Sequence, residues 1–181
     1  MGDFSFSNAF QPGGRSDPRT FQIALALVAL GDAVRLTALG GLAAPAWIAV
    51  LLFLAFALSN RLRDAGRSNA LALIPVAFAI AAKAVVAMIA LVAALYPDFI
   101  EFLADRGVDM NDPAAMQAAA YDPQIQEAYQ ARLQDSPERL AELSAAGDWP
   151  STWAFWGVIA FFAWTWSRWP RRPYAVPGGR G

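Results

Sequence analysis

Four long apolar runs separated by polar breaks dominate the chain: Phe21 to Gly40, Leu42 to Ser59, Asn69 to Tyr96 and Pro150 to Ser167. Each comes close to or exceeds the ~20 residues that a helix needs to cross ~30 Å of hydrocarbon, so four membrane spans are predicted. The second is short and carries Pro45 in its first turn, a position that suits proline. The third is 28 residues long, so it must tilt or project beyond the bilayer. Pro75 near its start is a candidate kink.

Between the third and fourth runs, residues 97–149 are polar but keep a clear local pattern. Asp112-Pro113, Asp122-Pro123 and Ser136-Pro137 each place an N-cap side chain before a proline, the preferred first helical residue, so three short helices are predicted. On the middle one, from Pro123 to about Gln134, the side chains of Ile125, Tyr129 and Leu133 form one apolar stripe. The stretch PDFIEFLADRG before them reads as a separate helix or as a continuation of the third span, stopping at Gly107.

The expected fold is therefore all-α: an integral membrane bundle of four transmembrane helices, with a small helical extracytoplasmic cap between the third and fourth. Its parts are an N-terminal segment 1–20, a three-helix membrane core 21–96, the acidic cap 97–149, a fourth span 150–168 and a basic tail 169–181. The cap is too small to bury a sizeable core alone. The Pro- and Gly-rich stretches FQPGGRSDPR and RRPYAVPGGRG read as flexible or surface-hugging tails.

Composition supports the membrane class, since 57% of residues are hydrophobic against roughly 45–50% in a soluble domain. The net charge of -1 hides a segregation: eleven of the fifteen acidic residues lie in 97–149. Arg15 and Arg19, then Arg61, Arg63 and Arg67, then Arg168, Arg171, Arg172 and Arg180 all fall on one side of a four-span chain. By the positive-inside rule that side is cytoplasmic, together with both termini. A first run containing Asp32 and Arg35 reads as a retained span rather than a cleaved signal. Six of the seven tryptophans, Trp149, Trp153, Trp156, Trp164, Trp166 and Trp169, mark the two interfaces of the fourth span as an aromatic belt.

The absence of cysteine and histidine removes disulfides, thiolate nucleophiles, Cys/His metal sites and imidazole chemistry. No Walker loop, dinucleotide fingerprint or Ser-His-Asp set occurs, and there is no nucleic-acid footprint. The acidic DMNDP at 109–113 lacks the glycine and distal glutamate of a calcium loop, so neither a metal site nor a cofactor is expected.

Charge inside the spans is the more pointed feature. At ~1.5 Å per residue, Asp32 lies about 16 Å deep, with Arg35 and the single lysine, Lys83, about 21 Å deep. An ionised group at such depth costs on the order of 3 kcal/mol, so a partner is expected. Asp32 and Arg35 are spaced i, i+3 and can pair, and Asp32 is expected to bridge Arg35 and Lys83. A helix-pairing clamp, an ion or proton pathway and a subunit contact all fit this cluster.

With this topology, GGRSDPRTF and RLRDAGRSN resemble the motifs of the domain-of-unknown-function 805 family, a group of bacterial inner-membrane proteins. The similarity covers roughly residues 10–96 and rests on Gly14, Arg15, Arg19 and Phe21, then on Arg61, Leu62, Asp64, Gly66, Arg67 and Ser68. The family histidine is Arg63 here, and its glycine and tryptophan after the serine are Asn69 and Ala70. The resemblance implies a location in the bacterial cytoplasmic membrane and no particular activity. Physically, Asp64 can pair with Arg61, Arg67 or Arg15, Gly66 permits a left-handed turn, and Ser68 or Asn69 can cap the third span. The remaining arginines suit anionic lipid headgroups.

The missing chemical toolkit leads to an expectation of a non-enzymatic accessory or assembly subunit, with a membrane protein or a second copy as partner. The alternative is a small transporter or ion pathway using Asp32, Arg35 and Lys83.

Overall fold

A computed structural model describes residues 6–39 and 42–170. The turn expected at Gly40 and Gly41 and the tail arginines Arg171, Arg172 and Arg180 lie outside the described residues. Every regular element described is helical: α1 (Phe6–Phe10), α2 (Pro18–Ala38), α3 (Ala43–Asp64), a 3-10 turn (Asn69–Ala72), α4 (Leu73–Asp105), α5 (Pro113–Tyr121), α6 (Pro123–Asp135), α7 (Pro137–Ala145) and α8 (Asp148–Ser167).

Three stretches are long and apolar enough to cross a membrane: Pro18–Ala38, Ala43–Asp64 and Asn69–Asp105. The fourth expected span forms a helix of 20 residues, α8, but it falls outside that set. Five of those 20 residues are tryptophan, whose N–H makes it an interfacial rather than a purely apolar residue. Helix α4 settles the ambiguity of PDFIEFLADRG, because it runs on through Pro97 to Asp105. Its 33 residues rise about 50 Å, well beyond one hydrocarbon thickness. Pro75 sits in its first turn, where a missing N–H has no intrahelical partner to lose.

The helix ends follow local rules. Asp17 Oδ1 accepts from the backbone N–H groups of Arg19 and Thr20 at 2.9 and 3.0 Å and so starts α2 at Pro18. Asp112 and Asp122 accept from Ala114 N at 2.9 Å and Gln124 N at 2.8 Å, so the Asp-Pro pairs open α5 and α6. Helix α7 starts at Pro137 without a side-chain bond from Ser136. Gly66 and Gly107 take φ of +65° and +78°. At each, the following N–H reaches back five residues, from Arg67 to Leu62 O and from Val108 to Leu103 O, which is the Schellman closure that ends α3 and α4.

The chain divides into two compact units, residues 1–81 with 155–181, and residues 82–154. The first packs α1, α2, α3, the start of α4 and most of α8 around Phe21, Leu54, Leu58, Leu62, Phe155 and Ile159. The second has a smaller apolar centre at Phe102, Leu103 and Ala119, with Phe99, Ile125 and Tyr129 against it. The stripe on α6 thus docks on the end of α4 through Ile125 and Tyr129. The N-terminal segment is not a tail: Ala9 and Ser16 are fully buried and Phe10 nearly so.

Candidate functional site

The best-defined polar site is the last turn of α3, in the stretch that carries the family resemblance. Helix α3 continues to Asp64, so Arg61 and Asp64 are helical and the connection to α4 shrinks to a few residues around Gly66. Spaced i, i+3, the two side chains share a face, and Arg61 Nη1 donates to Asp64 Oδ2 at 2.9 Å. Arg61 is completely buried. Its Nε and Nη2 donate to the carbonyl of Trp166 at 3.2 and 2.9 Å, and Nη2 also donates to the carbonyl of Trp169 at 2.6 Å. Trp166 lies in the last turn of α8 and Trp169 just beyond it, where the helix dipole concentrates negative charge. The planar guanidinium fork caps α8 and binds a carboxylate at once, which a lysine ammonium has no geometry to do.

One residue earlier, Asn60 does the same for α1. It is 1% exposed, and its Nδ2 donates to the carbonyls of Asn8, Ala9 and Gln11 at 3.2, 3.0 and 3.1 Å. Ser16 Oγ donates to Asn8 O at 2.8 Å, and Ser16 N–H donates to Asn60 O at 3.2 Å. Gly14 is required by this arrangement, since a Cβ there would stand 3.0 Å from both Asn60 Nδ2 and Asn8 O. Nothing in the residue pattern singles out Asn60 and Ser16 except their polarity beside apolar runs. Arg15, Arg67 and Ser68 are exposed. Arg67 lies over the Trp169 ring at 5.3 Å, and Ser68 Oγ accepts from Ala70 N at 3.3 Å. With its amide oxygen turned toward Arg63, Asn69 accepts from Nε and Nη2 at 3.0 Å.

The charges within the apolar runs are also met. Asp32 is fully buried. Its Oδ1 accepts from Arg35 Nε at 2.7 Å and its Oδ2 from Trp156 Nε1 at 2.8 Å, while Arg35 lies 5.0 Å over the Trp47 ring. Trp156 is thus a partner to Asp32 rather than a free interface anchor. Lys83 belongs to the second unit, where its Nζ donates to Ser151 Oγ at 3.1 Å and to Thr152 Oγ1 at 3.0 Å. The tryptophans of α8 divide: Trp149, Trp153 and Trp164 are exposed, whereas Trp166 is buried and stacks on Trp169 at 5.6 Å.

In the second unit, buried Asp98 holds α6 and α7 to the end of α4. It accepts from Tyr129 Oη at 2.9 Å and from Arg139 Nε and Nη2 at 2.9 Å, and Arg139 Nη1 pairs with Glu142 at 2.8 Å. Burial, then the hydrogen bond to Asp98 and its charge, push the Tyr129 phenol up to about 12 against the opposing charges of Arg132 and Arg139. The Asp109 carboxylate accepts from Asn111 N at 2.9 Å, a turn role rather than a cation role. No group of three metal-ligating residues occurs among the described residues.

Arginine stays protonated and offers donors only, so within this hub Arg61 can bind and lock acceptors. No family model matches the chain, and neither a curated protein nor a solved structure is found similar to it. The resemblance to the domain-of-unknown-function 805 family therefore rests on the motif residues alone.

Proposed function

We propose that this chain is a four-span protein of a bacterial cytoplasmic membrane, of the domain-of-unknown-function 805 type, working as a non-enzymatic accessory or assembly subunit. In this reading α2, α3, the apolar part of α4 and α8 cross the bilayer. The arginine hub faces the cytoplasm and anionic headgroups, and α5 to α7 form the outer cap.

The observation that carries the reading is the exposure of α4. Only 6% of the most apolar window of its stretch is buried, against 33% for α2 and 28% for α3. Val85, Met88, Ile89 and Val92 are each more than half exposed. A helix that apolar and that uncovered is suited to packing against helices of another protein, with lipid covering the rest. The commitment of Asp32 to Arg35 and Trp156 supports a structural clamp over an ion pathway.

The test is photo-crosslinking in native membranes from a benzophenone residue at Val85, Ile89 or Val92. A discrete protein adduct at these positions, absent when the probe stands at buried Leu54, is expected. Lipid adducts alone remove the accessory role. Topology is tested separately: the native chain lacks cysteine, so Gln117→Cys should react with an impermeant maleimide from outside, and Ala70→Cys only after lysis.

A further inference from the structure

Arg35 is the one charged residue lining an apolar groove of about 420 Å³ between α2 and α3. The groove is bordered by Val28, Gly31, Val50 and Phe53, with Phe10 at one end. Phe10 packs on Phe53 at 5.3 Å, while Arg35 lies over Trp47, six residues nearer the start of α3 and so about 9 Å away along it. The long axis thus runs from an aromatic end to a cationic end.

Arg35 is 8% exposed, and its Nε is committed to Asp32. Among the described residues its two terminal amino groups make no hydrogen bond, they are not enclosed by the protein, and Arg35 borders the groove. Unmet donors in apolar surroundings are costly, and a guanidinium can accept nothing in return. A fitting ligand supplies oxygen acceptors at that end and hydrocarbon along the rest. The volume is that of a small-ligand pocket with few polar groups. Because Asp32 already balances the charge, the acceptor need not be an anion.

We infer that this groove binds one acyl chain, its tail along Val28, Gly31, Val50 and Phe53 and its carbonyl oxygen accepting from Arg35. A phospholipid ester and a free fatty acid share this chemistry. The inference rests on the membrane part of the proposed function and not on the accessory role.

Gly31 supplies the test, because a Cβ added there meets nothing within 4 Å. The full chain is placed in phosphatidylcholine nanodiscs with a diazirine probe in one of three forms: on a phosphatidylcholine acyl chain, on palmitic acid, or on a hydrocarbon without a head group. Mapped peptides from α2 and α3 should be labelled by one or both acyl probes. Gly31→Leu should lower that label by about tenfold, equivalent to a tenfold loss of affinity. Gly157→Leu, which also adds a side chain in open space, should leave it unchanged.

Labelling by the phospholipid probe alone assigns the ester, and by palmitate alone the free acid; both support the site. Wild-type labelling in a folded Gly31→Leu protein, or equal labelling by the headless probe, overturns it. A chain that alkaline carbonate strips from membranes overturns this site and the membrane reading together. An integrated chain that labels in the groove but crosslinks to no protein supports the site and removes the accessory role.

Discussion

Two charged knots hold helices in this protein, Arg61 in the first unit and Asp98 in the second, and they are built in opposite senses. At Arg61 the buried group is the cation, and it gathers backbone carbonyls of α8 along with Asp64. At Asp98 the buried group is the anion, and it gathers side-chain donors, with Arg139 itself 41% exposed. Apart from Asp64, the first knot relies on backbone carbonyls, which every residue possesses and which do not titrate. The second relies on titratable side chains and lies open to water on one flank. A fully buried cation facing a helix end should therefore be stability-critical, and the buried carboxylate whose arginine partner is exposed should be adjustable.

Removing Arg61 is the strongest way to break that contrast. Arg61→Met removes the ion pair to Asp64 and the contacts to the carbonyls at the end of α8, a loss of about 3–5 kcal/mol. It is read from reversible unfolding in mixed micelles. Arg61→Lys should recover only part of it, because the ammonium cannot fork between carboxylate and carbonyls; full recovery would show that charge alone suffices.

Gly14→Ala comes next. The new methyl would press on Asn60 and the Asn8 carbonyl, costing about 1–3 kcal/mol as overpacking does. Limited proteolysis should then release the α1 segment while the rest of the unit persists. Unchanged cleavage would mean that Asn60 does not hold α1.

Tyr129→Phe removes one hydrogen bond to Asp98 and should cost on the order of 1 kcal/mol, confined to the second unit. Amide exchange should quicken in α6 and α7 while α2 and α3 stay protected. An equal change in both units would remove the distinction between the knots.

The smallest effect is alkaline. Folding raises the Tyr129 phenol from its ordinary 10.0 to about 12, so the neutral form is favoured in the folded state. Its contribution is complete below pH 10 and lost as the pH rises from 10 to 12. The tyrosinate absorbance of wild type minus Tyr129→Phe should titrate in that upper range. A midpoint near 10 would mean that the bond to Asp98 does not persist in solution.

Much of this arrangement is readable from neighbouring residues. Asp112-Pro113 and Asp122-Pro123 cap helices because cap, proline and accepting N–H lie within a few positions. Gly66 and Gly107 end helices for an equally local reason, and the pairing of Asp32 with Arg35 needs only the helical repeat. Trp149, Trp153 and Trp164 are exposed rings. The acceptor of Trp156 is not readable in this way, because it is 124 residues away.

The sequence by itself determined an all-α chain, the Asp-Pro caps that open α5 and α6, and which charges share a helix face, because each depends on contacts within a turn or two. Only the tertiary structure decided what Arg61, Asn60 and Trp156 hold. Arg61 binds carbonyls 105 and 108 residues away, and a carbonyl carries no residue identity for a sequence to display. The same reason hid the open end of Arg35, since its unmet N–H groups exist only once α2 and α3 have closed around the groove.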